Sequence, residues 1–256
     1  MPRFDFQPHK GSWDAIAGFR DGARGTHSSR TIMLDELSRL AANSHLRGDI
    51  KKAVVEENAL GKSTSSGRTL TLQRLKELYS FDPSVPLFRV FTGLYHRDPT
   101  AMPQLALLMA MARDPLLRAS ARPIVGLAPG SELTREALRN AVGAVVGGRM
   151  NEAVLDKVVR NTASSWTKTG HLVGRTIKRR ARIRPNTTAF AFALWLAHKT
   201  GFTGADLFEN AWISALDIEA AAARSFAERA HAAGLIRFRT IGDGFELDVT
   251  PLERRN

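Results

Sequence analysis

Apolar residues recur at intervals of three or four positions along most of this chain, a spacing that is typical of amphipathic helices. The first 27 residues instead contain several Gly and Pro residues and are expected to be irregular. Eight helices are predicted between that segment and the middle of the chain, at residues 30–42, 49–60, 70–80, 84–95, 101–113, 115–121, 132–146 and 151–163. Asp49, Ser131 and Asn151 are candidate N-caps for three of them.

The last third of the chain has a different order of predicted elements. Helices are expected at 187–199, 205–216 and 218–233, and Gly234 suits the C′ position that ends the last one. Residues 235–249 alternate apolar and polar side chains around the tight turn "IGDG", which predicts a β-hairpin. Three helices followed by a hairpin is the element order of a winged helix. We therefore predict a mainly α fold, with a multi-helix N-terminal region and a C-terminal winged-helix-like unit (three helices plus a β-hairpin).

These elements predict four consecutive parts of the chain. They are an irregular N-terminal segment at 1–27, a helical domain at 28–163, a basic connecting segment at 164–186 and a winged-helix-like C-terminal domain at 187–256.

A winged helix usually places its third helix in the major groove of DNA and its hairpin on the backbone or in the minor groove. The third helix of this chain offers few suitable polar contacts, namely Arg224, Ser225, Arg229 and His231. Arg237 and Arg239 lie two positions apart on a predicted strand, so they share a face and are both expected to reach phosphate. Winged helices also serve as protein-interaction modules, and base-specific reading by this third helix is not favoured.

The composition is that of a soluble globular protein, with 43% apolar and 24% charged residues. Because the chain has no Cys, disulfides, thiolate catalysis and Cys-ligated zinc are excluded. The most apolar stretches are shorter than the roughly 20 residues that span a membrane, and the N-terminus lacks the apolar core of a signal peptide. We therefore expect a cytoplasmic protein with no membrane partner.

The net charge of +12 is concentrated in one window. Residues 1–156 carry 21 Lys or Arg against 16 Asp or Glu, residues 157–205 carry 10 against none, and residues 206–256 carry 6 against 9. Such a block attracts polyanions, of which nucleic acid is the commonest in a cytoplasm. The alternative is a solvated face whose counter-charges come from the acidic C-terminal segment.

Most of this charge lies in the stretch 171–184. Two geometries fit this stretch, a helix and an extended segment. A helix would place its cations opposite an apolar face. An extended segment would align Lys178, Arg180, Arg182 and Arg184 on one side. Pro185 disfavours helix at the end of the stretch, so we favour a basic arm or strand that enters the next helix. The predicted phosphate contacts in this stretch are Arg175, Lys178, Arg179, Arg180, Arg182 and Arg184.

The loop "GKSTSSGRT" at 61–69 is a second candidate phosphate site. Lys62, Arg68, several hydroxyl groups and backbone N–H groups precede a helix start, and all of these suit a phosphate oxygen. The alternative is a surface loop in which Ser66 or Thr69 caps the helix.

Motifs for catalysis are weak. "GKST" resembles the end of a P-loop, but Glu56 stands where that motif requires Gly. The seven His residues have no metal-ligand spacing, and the carboxylates form no recognisable cluster. We therefore expect no enzyme activity, no metal, no cofactor and no small-molecule substrate.

Four stretches of the chain, spread over about residues 28–250, resemble the BrxA family of BREX phage-defence systems. "EENALGKSTSSGRTLTLQRLKELYSFDP" resembles its Asn-Leu-Leu, Ser/Thr-rich, Arg-containing segment, although Ala59 stands where the family tends to have Leu. "LFRVFTGLYHRDPTAMPQLALLMAMARDPLL" resembles the helical pair that follows. "SSWTKTGHLVG" and "AAGLIRFRTIGDGFELDV" are similar to later blocks.

The resemblance implies a small, mostly helical, non-enzymatic DNA-binding protein that works beside a methyltransferase, a large ATPase and a phosphatase-like protein. By motif position it implies contact roles for Asn58, Ser63, Thr64, Ser66, Arg68, Trp166, Lys168 and Gly170.

The leading functional hypothesis is therefore binding of duplex DNA, mainly through phosphates, by an accessory protein of antiviral defence that acts with other BREX proteins. Two alternatives are an assembly or scaffold subunit that docks an acidic protein partner, and an RNA-binding protein of NusB-like type.

Overall fold

The computed structural model describes residues 4–9, 13–242 and 244–254. Within these residues the chain forms eleven α-helices and two short antiparallel hairpins. The prediction of a mainly helical fold with a hairpin near the C-terminus is confirmed.

The helices are α1 Leu34–Ala42, α2 Ser65–Tyr79, α3 Pro86–Arg97, α4 Met102–Arg113, α5 Pro115–Ala119, α6 Ala121–Val125, α7 Arg135–Val146, α8 Glu152–Lys168, α9 Thr187–Lys199, α10 Ala211–Ser214 and α11 Ala220–Ala232. The strands are β1 Leu172–Val173, β2 Arg179–Arg180, β3 Arg237–Ile241 and β4 Gly244–Asp248. One π-helical turn, Lys52–Glu56, and five 3₁₀ turns complete the described elements, the latter at Thr26–Ser28, His45–Arg47, Pro99–Ala101, Gly204–Leu207 and Thr250–Glu253.

Polar side chains at the N-caps set several helix starts. Asn151 accepts a hydrogen bond from the Val154 N–H, as predicted. Thr134, rather than Ser131, caps α7 and moves its start to Arg135. Thr64 caps α2, which therefore begins five residues before the predicted start at 70.

Two predicted helices are shorter than expected. The segment predicted at 49–60 is helical only to Glu56, with Asp49 capping its first turn, and the chain then reverses at Asn58, whose φ is 53°. The segment predicted at 205–216 splits into a 3₁₀ turn and α10. Asn210 causes the split, because its Oδ1 accepts from two N–H groups of α10 while its Nδ2 donates to carbonyls of the 3₁₀ turn.

Helix α9 is the centre of the fold. Its predicted bounds, 187–199, are confirmed, and residues 188–197 are buried on every side. The helix contacts α3, α4, α10 and α11. The main hydrophobic core consequently contains residues from both sides of the basic connecting segment predicted at 164–186.

The C-terminal helices and hairpin follow the predicted order. Gly234, with a φ of 68°, lies just beyond α11 and lets the chain turn into β3. Strands β3 and β4 pair from Arg237 with Asp248 to Ile241 with Gly244. The predicted turn "IGDG" includes Asp243, which lies outside the described residues.

The N-terminal segment is irregular in its described parts, apart from the 3₁₀ turn Thr26–Ser28. It is nevertheless packed, since Phe19 is buried and Trp13 contacts the core. No helix in the described part of the chain combines the length and the apolar character needed to cross a bilayer.

Candidate nucleic-acid interface

The basic stretch is extended rather than helical, which confirms the favoured of the two geometries. Strands β1 and β2 pair antiparallel, Leu172 with Arg180 and Val173 with Arg179. On the other edge of β2, residues 130–133 add backbone hydrogen bonds, among them Gly130 N–H to Arg180 O at 2.8 Å. We call residues 171–184 the basic hairpin, and backbone hydrogen bonds on both edges of β2 hold it in place.

The prediction that Arg180 contacts phosphate is wrong, because its side chain is buried. Its side chain is 2% exposed and forms an ion pair with Asp217, whose side chain is 6% exposed. Its Nη1 also donates to the carbonyl of His171 at 3.3 Å. Asp217 in turn accepts from the Ile183 N–H at 2.8 Å. The pair ties the basic hairpin to the link between α10 and α11, so Arg180 has a structural position.

His171 lies beside this pair and is also buried. Burial lowers the pKa of His171 to about 4, against the opposing effects of the Ala215 carbonyl and Asp217. The neutral ring fits its partners, because Nε2 can donate to Ala215 O at 2.9 Å while Nδ1 accepts from the Thr169 hydroxyl at 3.1 Å.

The remaining cations of the basic hairpin face solvent. Arg175, Arg179, Arg182 and Arg184 are exposed, and Lys178 is half-buried. The expectation that Lys178, Arg180, Arg182 and Arg184 share one face is wrong, because Arg180 faces the interior. The acidic C-terminal segment supplies counter-charges only in part: Asp217 pairs with Arg180, and exposed Glu219 pairs with Arg182 at 3.0 Å.

Two of the cations are held by backbone carbonyls rather than by acids. Lys178 Nζ donates to Gly174 O at 2.7 Å, and Arg179 Nη1 donates to Gly130 O at 3.1 Å. Gly174 is required at the tip, because its φ is 97° and a Cβ there would lie 2.1 Å from the carbonyl oxygen of Ile177. The tight tip exposes Arg175.

Lys168, at the end of α8, is paired with exposed Asp35. Its charge is therefore compensated locally, unlike that of Arg175.

The polar residues of the 61–69 segment mainly organise their own chain. Lys62 pairs with Glu36 at 3.1 Å, and Arg68 donates to the carbonyls of Val55 and Lys62. The alternative, in which a hydroxyl group of this loop caps the helix, is confirmed, but the capping residue is Thr64 rather than Ser66 or Thr69. Of the predicted contacts here, the exposed hydroxyls are those of Ser63, Thr64 and Ser66.

Arg237 and Arg239 are exposed on one face of β3, as the alternation predicts. Each faces a carboxylate on β4, with Arg237 3.4 Å from Asp248 and Arg239 3.6 Å from Glu246. These cross-strand pairs reduce the positive potential of the β3–β4 hairpin.

Ser165, His27 and Asp114 form a buried trio that no local sequence pattern predicts. His27 Nδ1 lies 2.8 Å from Asp114 Oδ2, and its Nε2 lies 2.8 Å from Ser165 Oγ. This is the connectivity of a catalytic triad, but all three side chains are at most 1% exposed. Ser165 Oγ also accepts from the Ile32 N–H and lies within hydrogen-bonding distance of Asn161 O. The sealed trio therefore joins the N-terminal segment to α5 and α8, and no substrate can reach it in this conformation.

No group of three His, Asp or Glu side chains suited to a metal ion occurs among the described residues. Searches of protein-family models, curated proteins and solved structures found no match to this chain. The resemblance to BrxA thus stays a prediction.

Proposed function

We propose that the protein binds duplex DNA, mainly through phosphates, with the basic hairpin as the principal contact, and that it acts as a non-enzymatic accessory protein of a BREX-like phage-defence system. One observation carries the proposal. Arg175, Lys178, Arg179 and Arg184 have no carboxylate within 4 Å among the described residues. An extended cluster of uncompensated cations on a well-anchored hairpin suits a phosphate backbone.

The anchoring of the hairpin matters for affinity. Backbone hydrogen bonds on both edges of β2 and the buried pair of Arg180 with Asp217 fix the backbone before binding. Less conformational entropy is then lost in the complex. Arg182 can add a fifth contact, because an exposed ion pair such as that with Glu219 is weak and can be exchanged for phosphate.

The three C-terminal helices and the β3–β4 hairpin have the element order of a winged helix, which supports a second contact with DNA. We assign that contact a smaller contribution to DNA affinity than the basic hairpin, since Arg237 and Arg239 already face carboxylates.

A second candidate function, docking of an acidic protein partner, is favoured by two apolar side chains on the basic hairpin. Val173 and Ile177 are each 51% exposed and lie next to the cations. Apolar groups beside charges are typical of protein interfaces, whereas a phosphate backbone gives them no partner.

The test is a titration of the protein with duplex DNA at several salt concentrations. Replacing Arg175, Lys178, Arg179 and Arg184 with Gln should reduce the slope of log K against log salt by roughly 3 to 4 units. The matched control replaces Lys51, Arg24, Arg30 and Arg149, four exposed cations outside the hairpin, and should change the slope much less. Equal slopes for both variants would overturn the assignment of the hairpin. A host that carries the hairpin variant should also lose protection against phage in a plaque assay.

A further inference from the structure

A wide groove on α3 lies outside the basic hairpin and has a different chemistry. Its volume is about 920 Å³, within the range of small-molecule sites. It is bounded by α3, by the 3₁₀ turn after α1 and by the C-terminal 3₁₀ turn. The groove is positively charged, because Arg47, Arg89, Arg97 and Arg254 line it and no Asp or Glu does so among the described residues.

The lining of the groove covers two polar atoms that the protein leaves unsatisfied. Arg89 Nε and His96 Nε2 are buried and have no hydrogen-bond partner among the described residues. Arg89 is held in place from the other side, since its Nη1 donates to Ser84 O at 2.7 Å and Pro83 O at 3.2 Å. Buried polar atoms without a protein partner are uncommon, and a ligand that displaced the lining of the groove slightly could supply one.

The walls of the groove are apolar. Leu46, Phe88, Leu94 and Leu252 are among the residues that line it. Gly93 lies one turn from both Arg89 and Arg97 on α3, and a Cβ at that position would meet no atom within 4 Å. The absence of a side chain at Gly93 thus keeps the groove open between the two arginines.

We propose that this groove binds a small organic molecule with two or more phosphate groups, such as a nucleoside triphosphate. Guanidinium groups bind phosphoryl oxygens in pairs of hydrogen bonds, so several arginines that line one groove suit a polyphosphate. The apolar walls suit the body of the ligand, and a concave site suits a compact molecule better than a DNA duplex. Burial, and then the charge of Arg47, lowers the pKa of His96, so at neutral pH its ring is uncharged and the arginines supply the positive charge of the groove.

The test is calorimetric titration of the full chain with adenosine triphosphate, inorganic tripolyphosphate and adenosine. We expect triphosphate to bind, tripolyphosphate to bind more weakly because it lacks the apolar body, and adenosine not to bind. Absence of triphosphate binding at about 5 mM would overturn the proposal. A two-dimensional NMR spectrum should show that the imidazole signals of His96 shift on binding, and unchanged His96 signals would also overturn it.

Two variants locate the site. Replacing Arg47 and Arg254 with Gln should weaken triphosphate binding about tenfold or more, whereas the control that replaces exposed Arg24 and Arg30 removes the same charge and should have little effect. Gly93→Leu should block the groove without a change of charge. Equal effects of the two double variants, or unchanged binding by Gly93→Leu, would contradict the assignment.

A competition separates this site from the proposed DNA contact. The hairpin variant with four Gln substitutions should still bind triphosphate, so failure of the DNA proposal leaves the groove proposal intact. If duplex DNA displaced triphosphate and the Arg47 and Arg254 variant lost DNA affinity, the groove would be part of a nucleic-acid surface and the small-molecule proposal would fail.

Discussion

Arg180 and Asp217 form an ion pair in which both side chains are almost completely removed from solvent. A buried charge whose partner is removed is uncompensated, which typically costs about 3–5 kcal/mol of unfolding free energy. We therefore expect Arg180→Gln to be strongly destabilised in urea unfolding. Arg179→Gln, one position away but exposed, should change the unfolding free energy by no more than about 0.5 kcal/mol.

The same pair allows a sharper control. Arg180→Met combined with Asp217→Asn removes both charges, and removal of a whole buried ion pair is often neutral or stabilising in other proteins. The Asn side chain keeps an oxygen that can accept from the Ile183 N–H, and Asn tolerates the φ of 58° at residue 217. The double variant should recover much of the stability that Arg180→Gln loses. If Arg180→Gln were as stable as the unmodified chain but bound DNA with a smaller salt slope, Arg180 would belong to the interface after all.

Local sequence patterns predict the bounds of a helix but not the burial of a side chain such as that of Arg180. The bounds of α9 could be predicted because Pro185, the cap Asn186 and the apolar run are local signals. The burial of Arg180 could not, because it depends on Asp217, 37 positions later in the chain. The groove on α3 was missed for the same reason, since its arginines come from residues 47, 89, 97 and 254.

Acid should destabilise the protein through His171. The folded-state pKa is about 4, below the ordinary value of 6.5, so between these values the unfolded chain binds a proton that the folded chain does not. The contribution of His171 to stability is therefore constant above about pH 6.5 and falls as the pH drops towards 4, by up to roughly 3 kcal/mol. Urea unfolding at a series of pH values checks this, and His171→Gln should lose this part of the pH dependence.

Asp114 should add a second loss of stability at lower pH. Its partner His27 and several backbone N–H groups hold the pKa of this buried carboxyl below its ordinary value of 3.8, although burial alone would raise it. A carboxyl of this kind loses its stabilising contribution as the pH falls below 3.8. Asp114→Asn should unfold more readily at neutral pH and show a weaker pH dependence in that range.

The buried trio of Ser165, His27 and Asp114 should affect stability and not chemistry. Ser165→Ala leaves the Ile32 N–H and His27 Nε2 without their partner, at a cost of about 1–3 kcal/mol each. We expect a lower unfolding free energy in that variant. A fluorophosphonate probe should not label Ser165 in the folded protein, and stoichiometric labelling that Ser165→Ala abolishes would show that the trio is accessible.

The cross-strand pairs of β3 and β4 decide how much the C-terminal hairpin can contribute to DNA binding. Replacing Arg237 and Arg239 with Ala should weaken binding modestly and equally for all sequences, because phosphate contacts carry no sequence information. Glu246→Gln should have the opposite effect, since Arg239 then has no competing carboxylate 3.6 Å away, and the salt slope should steepen by about one unit. Glu136→Gln on α7 is the control, because it also removes one exposed carboxylate. If both Gln variants gain the same affinity for DNA, the gain reflects net charge alone. The β3–β4 hairpin would then be a protein contact rather than a DNA contact.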